Sequence, residues 1–411
     1  MNKKSLLALA IAGIAGSQAA SAAPSVDVYG FVDIGLEHYN ESGLSNGTDV
    51  FPGGDAPNGN SDAQEFALTN NVQSRIGIKG EEAIEDGWKG TYRMEFRANV
   101  LESGGNALRT RLGWLGLEKG EHSFKIGTQW SPFMQYSAWN TARGESQGLA
   151  SYFYITDELK GSMAYGFRNS SAISYTYGDG GWGTASPYTG TIALHVGDDN
   201  TKVKVGDSNE LANDAGITGI SVAGAATFGN LTLNAVYVKN LVSLSDAGKN
   251  APAAADAALT AANIALTNAT TTYETDKAKA EIKAAETAQK NAGGVDNEPA
   301  IYGVGAKMQA TKDLEFGFAY RGADRDTKEN NYTYTTSVST QYQFDEKTNI
   351  HLGVGVGEDE DSSARQLKSN FYGQVWYQVT DSRSVRFEFD HADYGDDGEV
   401  LATLVSMRQA F

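Results

Sequence analysis

From Trp88 to Ala98 the chain alternates. Lys89, Thr91, Arg93, Glu95 and Arg97 fall on one face, and Trp88, Tyr92, Met94 and Phe96 on the other. A period of two describes a strand whose faces meet different surroundings. The pattern returns in Ile220, Val222, Ala226 and Phe228, in Leu231, Leu233, Ala235 and Tyr237, and in Leu314, Phe316, Phe318 and Tyr320. Val385, Phe387 and Phe389 alternate with Arg386, Glu388 and Asp390. Read along the whole chain, alternation predicts sixteen strands. They fall at 26–36, 65–79, 88–99, 107–118, 121–130, 165–178, 190–197, 217–228, 231–240, 300–309, 314–322, 332–343, 348–357, 369–379, 384–393 and 400–411. Tight turns at Gly229-Asn230, Thr311 to Asp313, Phe344 to Thr348 and Thr380 to Arg383 alternate with long connections such as 241–299, 323–331, 358–368 and 394–399. Short turns at one end and long loops at the other predict an all-β fold, a sixteen-stranded antiparallel transmembrane barrel with both termini at its short-turn, periplasmic end. A β-sandwich would alternate too, but its apolar face is a Leu, Val and Ile core. Here Tyr and Phe gather near strand ends, as at a membrane interface. A barrel of sixteen strands is wide enough to enclose water.

Composition agrees with this picture. Gly 47, Tyr 20 and Phe 16 against Pro 7 suit strands and tight turns. A mean hydropathy of −0.39 is too polar for helical membrane spans, whereas a barrel strand shows lipid only every second residue. The chain has no cysteine, which excludes disulfides and thiolate metal sites. Lys3 and Lys4, the apolar stretch from Ser5 to Gly16 and the small-x-small motif Ala20-Ser21-Ala22 read as an export leader over 1–22, leaving 23–411 as the barrel. Loss of those two lysines takes the net charge from −18 to −20, with 31 basic residues against 51 acidic. Such a chain repels nucleic acid.

Two connections stand apart. Residues 131–164 carry Trp139, Tyr152, Phe153 and Tyr154, which calls for a surface to pack on, and the barrel wall is the one at hand. Residues 251–292, within an extracellular insertion at 241–299, are Ala-rich. The run from Tyr273 to Lys290 reads either as a helical excursion or as a disordered surface tract. Acidic groups such as Asp198, Asp199, Glu358 to Asp361, Asp396 and Asp397 fall in the long connections. They would either bridge to lipopolysaccharide through divalent cations or keep the surface soluble. No zinc-protease helix, nucleophile elbow or ordered calcium loop is present, and no cofactor or resident metal is expected. Gly353, Gly355 and Gly357 alternate with Leu352, Val354 and Val356, which places the glycines on the lumen face and predicts a smooth bore there.

Several stretches resemble the general diffusion porins of Gram-negative outer membranes. Val26-Asp27-Val28-Tyr29-Gly30 is similar to their first strand. Ser74-Arg75-Ile76-Gly77-Ile78-Lys79-Gly80, followed by Gly87, is similar to their second strand and first turn. Arg109-Thr110-Arg111-Leu112 with Gly116-Leu117, then Lys125-Ile126-Gly127, resembles strands four and five, and Phe411 resembles their C-terminal aromatic assembly signal. The likeness covers about 24–130 and 300–411 and is absent over 241–299. It implies a homotrimer in contact with outer-membrane lipids and lipopolysaccharide, passing small hydrophilic solutes and ions. It also implies a third loop, 131–164, folded inward to narrow the bore. Arg75, Arg109, Arg111 and Arg168 would form the basic wall, and Glu145, Asp157 and Glu158 the acidic side. Alternation places Arg109 and Arg111 on one face, opposite Leu112 and Trp114. The family's Pro-Glu-Phe-Gly-Gly loop tip is missing, position 31 is Phe where many relatives carry a lumen lysine, and Gln409 replaces the frequent penultimate aromatic. The basic wall would favour anions, whereas the net charge of −20 and the acidic mouths would favour cations at low salt. The mouth charge sets the local ion supply, so cations are expected. The alternatives are a channel specific for sugar or phosphate, and an adhesin that uses its outer loops.

Overall fold

The computed structural model describes residues 24–42, 62–70, 74–101, 107–141, 150–157, 166–180, 186–196, 217–241, 257–267, 275, 277–279, 282, 300–324, 332–360 and 366–411. They form one antiparallel sheet closed on itself. Its staves are β1 (Asp27–Ser42), β2 in two stretches (Asp62–Thr69 and Arg75–Ala83), β3 (Lys89–Ala98), β4 (Leu108–Lys119), β5 (His122–Trp130), β6 (Arg168–Tyr177), β7 (Tyr188–Val196) and β8 (Ile217–Phe228). There follow β9 (Leu231–Asn240), β10 (Ala300–Thr311), β11 (Leu314–Asp324), β12 (Tyr332–Gln343), β13 (Thr348–Asp359), β14 (Ser369–Thr380), β15 (Arg383–Asp393) and β16 (Glu399–Ala410). Closure is direct. β1 pairs with β16 from Phe31↔Ala410 to Ser42↔Glu399, and Gly30 and Phe411 exchange main-chain hydrogen bonds of 3.2 and 3.1 Å beyond it.

β2 is one stave interrupted once. Its first stretch pairs with the second half of β1 and its second stretch with the first half. The sequence reading of an unbroken strand over 65–79 is corrected here, because side chains replace the ladder at the break. The Ser74 hydroxyl accepts from the Asp33 amide at 2.8 Å and donates to the Asp33 carbonyl at 3.1 Å. The Asn70 carboxamide accepts from the Ser74 amide and donates to the Ala98 carbonyl.

The barrel is inside out relative to a water-soluble protein. On β15, Arg386, Glu388 and Asp390 are at most 2% exposed, while the alternating Val385 and Phe387 are 38% and 42% exposed. Exposed apolar side chains recur at alternate positions, as at Leu115, Leu117, Val354 and Val356. Exposed Phe124, Tyr177, Phe228, Phe316, Tyr342 and Phe344 cluster at the short-turn end. A surface of this kind suits lipid with an aromatic girdle.

One register shift alters the inward face. Glu95 pairs with Leu112 and Phe96 with Thr110, so Arg111 is an extra residue on β4. A bulge sets two consecutive side chains on the same side. Leu112 and Trp114 therefore line the inner face along with Arg111, a correction to the strict alternation expected there.

In the insertion, residues 257–267 are helical, and within the run from Tyr273 to Lys290 residues 275, 277–279 and 282 are helical as well. Helical residues thus occur before the stretch of charged helix formers as well as within it.

Candidate functional site

Among the described residues between β5 and β6 are two short helices, α1 (Pro132–Ser137) and α2 (Ala150–Asp157), with a 3-10 turn over Ala138–Asn140. Ser131 caps α1, its hydroxyl accepting from the Met134 amide at 3.0 Å, and Pro132 takes the first position, where a missing N–H costs nothing. The segment is bonded to the polar face of the far wall. The Tyr136 hydroxyl shares hydrogen bonds with Thr189 and Thr191 of β7 at 3.2 and 3.0 Å. Asn140 and Asn234 of β9 exchange amide hydrogen bonds of 2.8 and 2.7 Å. Thr141 meets Ser337 of β12, and its carbonyl accepts from the Tyr372 hydroxyl of β14 at 3.0 Å. The Ser151 amide donates to Asn370.

Packing completes the attachment. Phe133, Tyr136, Tyr152 and Ile155 are almost fully buried, in a cluster that includes Val236, Val238 and Ile301 of the wall. Glycines make room for the backbone. A Cβ at Gly317 would collide with the Asn140 carbonyl, and one at Gly357 would come 2.8 Å from the Tyr154 ring. Gly355 and Gly357 do face inward. They seat α2, however, and the smooth open bore expected of them is corrected accordingly.

The other arc, from β15 through β1 to β6, carries charge. Glu95 is 1% exposed. It receives Arg111 Nε at 2.8 Å and Arg93 Nη2 at 2.8 Å, with Arg75 Nη1 at 3.9 Å. The Tyr29 hydroxyl donates to it at 2.9 Å. Asp33 holds Arg408 Nε at 2.8 Å and Arg386 Nη2 at 3.2 Å, and Arg386 Nε also lies 3.1 Å from Glu388. Aromatic rings alternate with these guanidinium groups. Arg408 stands over Phe31 at 3.9 Å and Trp376 at 5.0 Å. Arg75 covers Phe31 at 4.4 Å, and Arg168 lies 4.8 Å from Trp130 and 4.7 Å from Phe167. Stacking of this kind holds a flat cation in place without neutralising it. Phe31 is the ring shared by two arginines.

Of the residues expected from sequence, Arg75 and Arg111 meet at Glu95. Arg168 sits near both, and its Nε and Nη2 are buried without a hydrogen-bond partner among the described residues. Arg109 is exposed and stands across from Arg97 in register. Glu145 and Glu158 lie outside the described residues. Asp157 ends α2, and its side chain is likewise outside them. Phe411 closes the β1–β16 seam through its main chain. Glu95, Asp33, Arg386, Arg408 and Arg321 were not singled out from the sequence. The alternation of Arg93, Glu95 and Arg97 was a visible signal for Glu95, while Asp33 and Arg408 meet only because the barrel closes.

A closed sixteen-stave barrel with an apolar exterior and a charged interior defines an outer-membrane β-barrel protein. The chain belongs to the Gram-negative porin family, whose model matches residues 6–363. Outer membrane protein S1 of Salmonella typhi is 31% identical over 158 residues, a match spanning 36% of this chain and 34% of that protein. An anion-selective porin from Comamonas acidovorans superposes with a TM-score of 0.59 at 12% identity, over 94% of this chain and all of that one. The trimer form of OmpT from Vibrio cholerae gives 0.54 at 14% identity, over 94% of this chain and 99% of that one.

Proposed function

We propose that the chain, after removal of residues 1–22, forms a water-filled channel through the outer membrane that admits small hydrophilic solutes and ions. One observation carries the reading. The polar face is divided between an arc from β7 to β14 that holds α1, its 3-10 turn and α2 and an arc from β15 to β6 that holds stacked arginines. On this reading the segment folds into the lumen as a constriction loop, and solutes pass between it and Arg75, Arg111 and Arg168. Charge fixed on one wall of a narrow passage creates a transverse field that orients dipolar solutes and sets ion preference. Arginines outnumber carboxylates around Glu95 and Asp33, so the passage itself favours anions, the reverse of what the acidic mouths suggested. By analogy with the trimeric OmpT form, the assembly is a homotrimer embedded among outer-membrane lipids and lipopolysaccharide. The test is planar-bilayer recording of the purified protein in a salt gradient. Stable conductance steps with a reversal potential on the anion side are expected, and a sealed bilayer would refute the channel.

A further inference from the structure

Phe31 carries no charge, yet it stands where two charges meet. β1 runs between β2 and β16, with Phe31 opposite Arg75 in one register and Asp33, two residues on, opposite Arg408 in the other. One guanidinium therefore reaches the ring from each neighbouring strand, Arg75 at 4.4 Å and Arg408 at 3.9 Å from its centre. The side chains of Arg75 and Arg408 are 17% and 13% exposed, against 4% for Arg111 and 2% for Arg386. Glu95 and Asp33, the carboxylates beside them, are each 2% exposed. The accessible end of each pair is thus the cation.

A guanidinium is held either by a carboxylate or by a ring face, and only the first cancels its charge. Arg75 Nη1 stands 3.9 Å from Glu95, long beside the roughly 2.7–2.9 Å of a charge-assisted hydrogen bond. Arg408 bonds Asp33 through Nε at 2.8 Å while lying over the Phe31 ring and, at 5.0 Å, over that of Trp376. The Phe31 ring competes with the buried carboxylates for both cations. We infer that Phe31 is a positioning residue for ion selectivity: its ring holds Arg75 and Arg408 apart and short of full pairing with Glu95 and Asp33, which keeps two positive charges presented to permeating anions. Without the ring, Arg75 closes on Glu95 and Arg408 forks onto Asp33. The same formal charge then gives a weaker field, so the anion preference of the passage depends on a neutral side chain.

This role rests on the channel reading, and the test keeps the two apart. The reconstituted protein and its Phe31→Leu, Phe31→Tyr, Arg75→Ala and Arg408→Ala variants are recorded in a potassium chloride gradient. At about 0.1 M salt, where charges act over about 10 Å, Phe31→Leu should lower the chloride-to-potassium permeability ratio about twofold, the scale of one exposed cation–π contact. Phe31→Tyr keeps the ring and should keep the wild-type ratio. At about 1 M salt the range of a charge shrinks to about 3 Å and conductance reports the width of the bore. There Phe31→Leu should conduct like wild type. A wild-type ratio in Phe31→Leu, alongside shifts in both arginine variants, overturns the role of the ring. So does a conductance change in strong salt with the ratio intact, or a fall in Phe31→Tyr as large as in Phe31→Leu. Wild-type ratios in both arginine variants refute the passage beside them, and with it any selectivity role for the ring. If Phe31→Leu yields no heat-modifiable barrel, Phe31→Met takes its place under the same outcomes.

Discussion

The Arg321 guanidinium donates to both the hydroxyl and the carbonyl oxygen of Ser137, at 2.9 and 3.0 Å, across 184 residues of chain. It also donates to the Thr141 hydroxyl at 2.9 Å and the Ser337 hydroxyl at 3.2 Å, and lies 5.4 Å from the Tyr152 ring. Arg321 is fully buried. A cation taken out of water is tolerated only where its donors are met, and here neutral oxygens of the segment and the wall meet them. Each such bond is worth about 1.5–3 kcal/mol. Arg321→Met keeps much of the volume and removes every donor. It should free the segment, giving larger, noisier single-channel currents and new protease cleavage within 131–157, with the heat-modifiable barrel intact. Currents and cleavage like wild type would show that Arg321 does not anchor the segment.

Glu95 separates Arg75, Arg93 and Arg111. Glu95→Gln leaves three guanidinium groups facing one another around a neutral amide, so the reversal potential should move further toward anions and thermal stability should fall. Arg75→Ala, Arg111→Ala and Arg168→Ala should each move it toward cations, because arginine remains charged at any working pH. Reversal potentials equal to wild type in all four would remove these side chains from the passage.

The close approach at Gly317 gives a steric test. Gly317→Ala pushes a methyl group at the Asn140 carbonyl, and overpacking of this kind costs about 1–3 kcal/mol. The segment should shift off β11 and the conductance should change, with the strand content seen by circular dichroism preserved. Gly229→Ala tests a separate strain, because Gly229 sits in a tight turn with φ of 63° and open space around it. It should slow or weaken folding without altering conductance.

Much of the barrel could be read from alternation. β8, β9 and β12 begin and end where the hydrophobic pattern put them. The errors have local physical causes. The pause in β2 is invisible because Asn70 and Ser74 stand in for main-chain partners without disturbing the polar-apolar pattern. The side on which Leu112 falls depends on one extra residue, and no periodicity reveals a bulge in advance. The charge cluster was half legible. Arg75 and Arg111 came from resemblance, whereas Arg386 and Arg408 reach Asp33 only through closure of the last stave on the first. Arg321 looked like any polar-face residue, since its role depends on a segment nearly two hundred residues away.

Residues 251–292 fall in one connection between β9 and β10, and the paired ends of those strands hold without them. Loop closure changes by about 0.6 kcal/mol per doubling of length. Deleting 251–292 should leave the barrel band and the conductance close to wild type. Loss of the folded barrel would make the insertion structural, and loss of surface adhesion with conductance intact would assign it a separate role.

The turn between β12 and β13 predicts a pH dependence. The Asp345 carboxylate accepts from the Lys347 amide at 2.8 Å and the Thr348 amide at 2.7 Å, and these bonds hold its pKa below the ordinary carboxylate value. The protonated form is favoured more in the unfolded chain, so the stabilisation is present above the ordinary carboxylate range and is lost as pH falls through the depressed value. Asp345→Ala should lower the gel-shift temperature at neutral pH, and the gap to wild type should close in strong acid. A gap independent of pH would mean the carboxylate charge is not what holds the turn.

The separation of the inner face into two arcs has a consequence for variation among descendants of this gene. On the proposed reading, the width of the passage follows from how α1 and α2 sit against β7 to β14. On the same reading, its ion preference follows from the cations on β15 through β6. Few residues belong to both sets, so a lineage can exchange arginines to suit a new diet of ions while its exclusion size stays fixed. It can equally loosen the seat of the helices and admit bulkier molecules without changing sign preference.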